Sequence, residues 1–450
     1  MTAVAPAANS VAGFTEASFE AFIAERREPS WLVELRREAF RKFSELPLPS
    51  RKEEEWMRTD IRLFKLDKFA RPSDAAVGAE VAKYAAGAAR LSTDVELAGA
   101  MTTADGRLTA SSLTDEAAQQ GVLFGSLDAL VVEHGDLLRP YFEKKLVDIG
   151  ADKFAALHAA FWTGGTLLYV PKNVTVRLPL HSLSVLAADA SNSAAPVDLG
   201  KTLVILEDGA NATLLTETAG DDALALHCGS IELFVGKQAR LRYVNLQHWG
   251  SGTWHFAHQK ATVADDGDLQ WTIGALGAKL AKVNQHVALA GKHARAQVNG
   301  VMFTEGRQHL SYHTLQHHEQ PNCTSDLLYK GALQDDSRLV WRGMIRVDKD
   351  AQKTDAYQRD DNLMLSDNSR ADSIPGLEIE ADDVRCTHGA TAGRVDEDQI
   401  FYARSRGLTR KEAVRTIVAG FFQQVFDRIE IESVREALGL AISRRIREYA

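Results

Sequence analysis

Apolar residues recur at steps of three and four through the first part of the chain, at Phe19, Phe22, Ile23, Trp31, Leu32, Leu35, Ala39 and Phe43. This spacing predicts amphipathic helix, broken at Pro29 and stopped by Leu46-Pro47-Leu48-Pro49. The charged run at residues 51–60, around Trp56, reads as a solvated helix face. The Ala-rich stretch at 72–126 carries no decisive period. A further helical stretch is predicted over 126–161, with Leu127, Leu130, Val131, Leu137 and Leu138 as its inner face.

From Gly165 onward the period shortens to two. Strand-like runs alternate with Gly, Asp, Asn and Lys. In 338–347, Leu339, Trp341, Ile345 and Val347 share one face, and Arg338, Arg342 and Arg346 share the other. The same alternation marks 239–243 and 268–273. A polar turn, a small residue and a strand recur at 208–212, 236–239, 266–268 and 291–294, with ends 27, 29 and 26 residues apart. Later turns at 335–337, 348–351 and 367–369 crowd closer together. Short strands repeating in the 20–50 residue range predict a solenoid whose stacked coils share one core, with an ordinary β-sandwich as the alternative.

The chain returns to helix at its end. Thr409 and Glu412 form a capping box. Ala413, Val414, Ile417, Val418, Phe421, Phe422, Val425 and Phe426 follow as a wide apolar stripe. Ser433 is expected to cap a second helix through Val434, Leu438, Ala441, Ile442 and Ile446. That helix ends in Arg444, Arg445 and Arg447 at the negative pole of the helix dipole. A stripe this wide either covers the solenoid or docks a partner.

Length and charge narrow the picture. The 450 residues suggest about three domains by size alone. The textures divide the chain into a flexible tail at 1–13, a mostly helical region at 14–164, a β core at 165–400 and a helical domain at 401–450. The net charge of -9, from 61 acidic and 52 basic residues, argues against nucleic acid as a partner. The longest apolar runs fall far short of the roughly 18 residues a membrane helix needs. The Ala-rich start has neither the pattern of a signal peptide nor that of a transit peptide, so a cytoplasmic location is expected. Three widely spaced cysteines do not make a disulfide framework.

No phosphate loop, GxSxG elbow or HExxH motif occurs. Three constellations remain. Cys386 and His388, two apart on a predicted strand, share a face about 7 Å apart, and thiolate plus imidazole can ligate iron or zinc. Two donors do not close a four-coordinate site, so others must come from elsewhere in the chain or from a partner. Otherwise Cys386 is a small core residue beside a hydrogen-bonded histidine. His309, His313, His317, His318 and Cys323 form a second set, and the first three of these align only if their segment is helical, whereas residues 298–303 and 327–329 flank it with strand character. Asp355, Asp360 and Asp361 beside Arg359 form a third, readable as acid/base chemistry on a polysaccharide or as turn formers.

These residues also carry a resemblance. His317-His318-Glu-Gln-Pro321-Asn-Cys-Thr-Ser325, Tyr329-Lys330-Gly331, Ala351-Gln352-Lys-Thr354-Asp355-Ala356, Asn362-Leu-Met-Leu-Ser366, Pro375-Gly-Leu-Glu378-Ile379, Cys386-Thr-His388-Gly-Ala390-Thr391 and Phe401-Tyr402-Ala-Arg404-Ser405-Arg406-Gly407 resemble the SufB/SufD family of iron–sulfur cluster assembly proteins. Glu28-Pro29-Ser-Trp31-Leu32, the Pro47/Pro49 break and Glu55-Trp56-Met-Arg58-Thr59-Asp60 resemble it too. The chain looks more like SufD than SufB. The segment 366–375 has no cysteine where SufB-like proteins carry one, and Gly389 follows His388 where SufB has Glu.

The resemblance implies a right-handed parallel β-helix flanked by helical regions at both ends. It implies a non-catalytic scaffold subunit that pairs with a SufB-like subunit through β-helix edge strands. A SufC-like ATPase would dock on the C-terminal helices, here Phe421, Phe422, Val425 and Phe426. Movement of these helices would then open the subunit interface near His388. The family's functional histidine maps onto His388, a ligand or iron-entry group, with Cys386 as the second metal candidate. No cofactor is expected to bind the chain stably alone, and iron or an iron–sulfur cluster would pass transiently through the subunit interface. The rival expectations are a secreted-type β-helix enzyme acting on polysaccharide through Asp355, Asp360 and Asp361, and a homodimeric structural protein without metal chemistry.

Overall fold

The computed structural model describes residues 13–71, 79–93, 95–188 and 195–446. The expected tail at 1–13 lies outside these residues except for its last position. Two ten-stranded sheets face each other. From Lys201 to Arg394 the chain alternates between them, and every contact between successive coils is parallel and in register. This is the expected β-solenoid, with two strands per coil.

The coil corner explains the repeat. Ala210, Ala239, Gly267, Ala294, Cys323 and Thr354 occupy equivalent corners, at steps of 27 to 31 residues. Each accepts, through its carbonyl, the first strand N–H of the next coil at 2.8–3.0 Å. Each follows a residue in the left-handed region: Gly209, Gln238, Asp266, His293, Asn322 and Lys353. The left-handed residue turns the chain inward, and only a small side chain fits behind it. The later turns looked crowded because 335–337 and 367–369 lie on the opposite edge, so two series of corners interleave.

Cys323 is therefore a corner residue. It is fully buried, and its Sγ donates to the Gly291 carbonyl at 3.1 Å. Cys323→Ala should cost less than about 1 kcal/mol, since alanine already serves at three sister corners. Cys323→Leu should cost about 1–3 kcal/mol through overpacking. Thermal melts of the two variants check this.

Inside the coils, alternating residues such as Tyr243, Trp271, Tyr312, Tyr329 and Trp341 meet between the sheets and are fully buried. The outer faces are covered as well. The helices Glu16–Glu25, Ser30–Glu45 and Lys153–Phe161 lie on one sheet, where Phe154 stacks on Phe256 at 3.7 Å. The helices Arg410–Phe426 and Glu432–Arg445 lie on the other.

The N-terminal region is less helical than expected. Strands Gly99–Ala104 and Arg107–Leu113 extend one sheet, and Leu123–Ser126 extends the other in antiparallel fashion. They close that end of the solenoid. The charged run at 51–60 forms a short 3-10 turn, not a solvated helix. Trp56 is buried, and Glu54 and Glu55 pair with Arg342 at 2.6 and 2.8 Å. Thr409 and Glu412 do form the capping box. Ser433 does not cap: its helix starts at Glu432, two residues earlier than such a cap requires, with no side-chain cap at Ile431. Among the described residues no helix is long and apolar enough to cross a membrane.

Candidate functional site at the open end of the solenoid

The two ends of the solenoid differ. The far end finishes on Arg370–Ile379 in one sheet and Arg385–Arg394 in the other, each hydrogen-bonded on one side only. Most residues of both strands are exposed or half-buried. Two parallel strands with free backbone edges are a template for strand addition.

Register places the predicted pair here. Cys386 lies opposite Ala356, and His388 opposite Gln358. Ala356 and Gln358 are buried, so Cys386 and His388 inherit the inward direction at a coil with no coil beyond it. Cys386 is half-buried against Ile345, Val347, Ala351 and Ala356. Burial, with Asp355 adding to it, pushes its thiol up, which disfavours the thiolate. His388 is exposed. Among the described residues no three His, Cys, Asp or Glu side chains are placed to hold a metal ion. The pair is an incomplete donor set open to whatever packs on the terminal coil.

The second constellation comes apart. Residues 309–318 form a strand, not a helix, so His309, His313 and His317 are spread along one outer face. His313 Nδ1 lies 2.6 Å from Glu55, and His317 sits between Asp348 at 2.9 Å and Glu319 at 3.2 Å. His318 points inward to the Ser325 hydroxyl at 2.8 Å, and burial holds it down to about 3. The third set also divides. Consecutive strand residues face opposite ways, so Asp361 lies outside with Arg359, Thr391 and Lys330, while Asp360 lies inside. Paired carboxylates for polysaccharide chemistry do not form.

The terminal helices use their stripe on the solenoid itself. Phe422 and Val425 are fully buried, and Phe421 and Phe426 are partly buried, in one cluster with Leu246, Val301 and Phe303. Lys330 Nζ lies 4.5 Å from the Phe421 ring, and Arg428 binds Asp326 at 2.8 and 3.2 Å. What these helices leave open is elsewhere: on Glu397–Ser405, Phe401 is 73% exposed and Tyr402 60%. Spacing gave no sign of this, because an exposed aromatic pair and a buried one look alike in a sequence.

Two family models match the chain. The SUF system FeS cluster assembly, SufBD core domain, covers residues 189–421, and the SufBD protein N-terminal region covers 17–181. An iron-sulfur cluster assembly SufBD family protein of Staphylococcus epidermidis is 26% identical over 418 residues, covering 90% of this chain and 88% of the relative. One of Staphylococcus haemolyticus is 25% identical over 431 residues, covering 93% and 90%. One of Staphylococcus aureus is 25% identical over 418 residues, covering 90% and 88%. With more than half its length inside the core model and stacked coils from Lys201 to Arg394 within that span, the chain belongs to the SufBD family of iron–sulfur cluster assembly proteins.

Proposed function

We propose that this chain is the SufD-type subunit of a cluster-assembly complex, a non-catalytic scaffold that completes a transient metal site with a SufB-like partner. The observation that carries this reading is the terminal coil. It combines free strand edges with Cys386 and an exposed His388, which are too few donors to hold a cluster and are placed where a second solenoid would supply the rest. Neutral imidazole is the donor form of His388, and Cys386 acts chiefly in packing. Iron and the growing cluster are cargo.

A SufC-like ATPase would engage the C-terminal helical unit on its open side, around Phe401 and Tyr402. The buried Phe422 and Val425 would transmit its movement to the solenoid sheet. The chain itself has no phosphate loop.

The test is His388→Ala in the complex co-expressed with its SufB-like and SufC-like subunits. Because His388 is exposed, the subunit should fold and assemble as before. Bound iron and acid-labile sulfide should fall at least tenfold. Loading at the level of the unaltered complex would remove His388 from the mechanism.

A further inference from the structure

A second feature lies on the opposite side of the solenoid from the C-terminal helices. A groove of about 440 Å³ runs between the outer face of one sheet and the segments around Trp56 and residues 146–152. Its volume falls in the range of sites that hold a small organic molecule. Its floor is laid out by strand register. Lys260 stands beside His286, and next in that column come Leu315 and Met344. One column over, His317 stands beside Arg346.

Two donors on this floor are unspent, and a third is held only by loose ion pairs. The Lys260 ammonium makes no hydrogen bond or ion pair among the described residues. His286 Nε2 is buried without a partner. Arg346 Nε is also buried without an aligned hydrogen bond, although it lies 3.3 Å from Asp348 and 4.0 Å from Glu378. The carboxylates that line the groove are engaged, Glu55 by His313 and Arg342, Asp152 by His258, Asp148 by the Gly150 N–H and Glu378 by Arg346, and Asp348 and Glu319 beside it are held by His317. Burial and then the charges of Lys260, His317 and Arg346 hold the His286 imidazole down to about 3, so it is a neutral donor set among cations. Leaving such groups unpaired is costly in a folded protein. Beside them, Leu315 and Met344 offer an apolar bed.

We propose that this groove binds a small organic anion, with a carboxylate or phosphate head taken by Lys260, His286 and Arg346 and an apolar body lying on Leu315 and Met344. Of the terminal coil only Glu378 reaches this groove, and neither Cys386 nor His388 lines it.

Isothermal titration of the full-length chain tests it, with octanoate and octyl phosphate as probes below their micelle concentrations. Acetate and inorganic phosphate serve as heads without a body. At least one amphiphile should bind saturably and more tightly than its bare head. The arm that binds identifies the head chemistry. Lys260→Gln and His286→Gln should each weaken binding about tenfold or more, the loss expected for one hydrogen bond to a charged group. Lys260 has no partner among the described residues, so its variant keeps the structure. Absence of saturable binding by both amphiphiles, or affinities unchanged in both variants, overturns the proposal. So does binding of the bare heads as tight as that of the amphiphiles.

Discussion

Arg36→Met is expected to lower the stability of the N-terminal region by about 3–5 kcal/mol, the cost of stranding one partner of a buried ion pair. The Arg36 guanidinium is fully buried within the helix Ser30–Glu45. Its Nε and Nη2 donate to the two Glu28 oxygens at 2.6 and 2.7 Å, and its Nη1 donates to the Ala160 carbonyl at 3.1 Å. It also lies 4.3 Å from the Trp162 ring and 5.1 Å from that of Phe22. Arg26 links Glu28 to Asp128, so four charges balance in a nearly dry site. Burial pushes the Glu28 carboxyl up, but Arg36 and Arg26 outweigh it and hold the group below its ordinary range. Methionine would fill the space but leave Glu28 with Arg26 alone. Adding Glu28→Gln should recover part of the loss, because the second charge then no longer needs a partner. Hydrogen exchange of residues 13–71 and 127–161, read beside the melt, locates the effect. A loss under about 1 kcal/mol would show that Glu28 reaches water.

The second large effect is a pH dependence at Asp360. This carboxyl is fully buried near the open end of the solenoid. Its Oδ2 accepts from Asn362 Nδ2 at 2.6 Å and from the Ser373 hydroxyl at 2.5 Å, and its Oδ1 has no partner among the described residues. Burial pushes it up to about 7, and Asp361 adds to the effect. A raised acid pKa means that the folded chain holds the proton after the unfolded chain has released it. Stability contributed by this group is therefore complete below about pH 4 and is lost progressively as pH rises to about 7. Raising a carboxyl from its ordinary value near 4 to about 7 corresponds to roughly 4 kcal/mol. Asp360→Asn should remove this slope, leaving the variant more stable than the unaltered chain at pH 8 and little different at pH 4. Denaturant melts at the two values decide the matter. Equal stabilities at pH 8 would mean that the ionised carboxylate is well solvated in the native state.

Much of the architecture is written in local pattern. The two-residue alternation from Gly165, the small residue behind each left-handed turn and the Thr409–Glu412 box are short-range signals, and each reappears as a strand, a corner or a helix start. Arg36 was legible in part. It falls among Leu32, Ala39 and Phe43 on the apolar stripe of its helix, where a solvated arginine has no place. The direction of Cys386 and His388 also follows from alternation once the strand is granted.

The stripe of Phe421, Phe422, Val425 and Phe426 shows the limit. Its helical spacing requires an apolar partner but does not name one, and the fold supplies its own sheet. The histidines at 309, 313 and 317 show another. Their spacing of four suits a helix face, the strand-like flanks argue against it, and pairing with Leu280–Leu289 and Arg338–Val347 decides for the strand.

Short strands repeating with a fixed corner chemistry between two helical regions are set locally, because turns, caps and alternation act over a few residues. Which faces are covered and which end stays open is settled by long-range packing. Several strands carry apolar outer residues, such as Trp254 and Phe256 on one sheet and Leu246 and Val301 on the other, so exposure depends on where segments distant in sequence come to rest. That placement seals Phe422, shelters Arg36 and leaves His388 at a free edge.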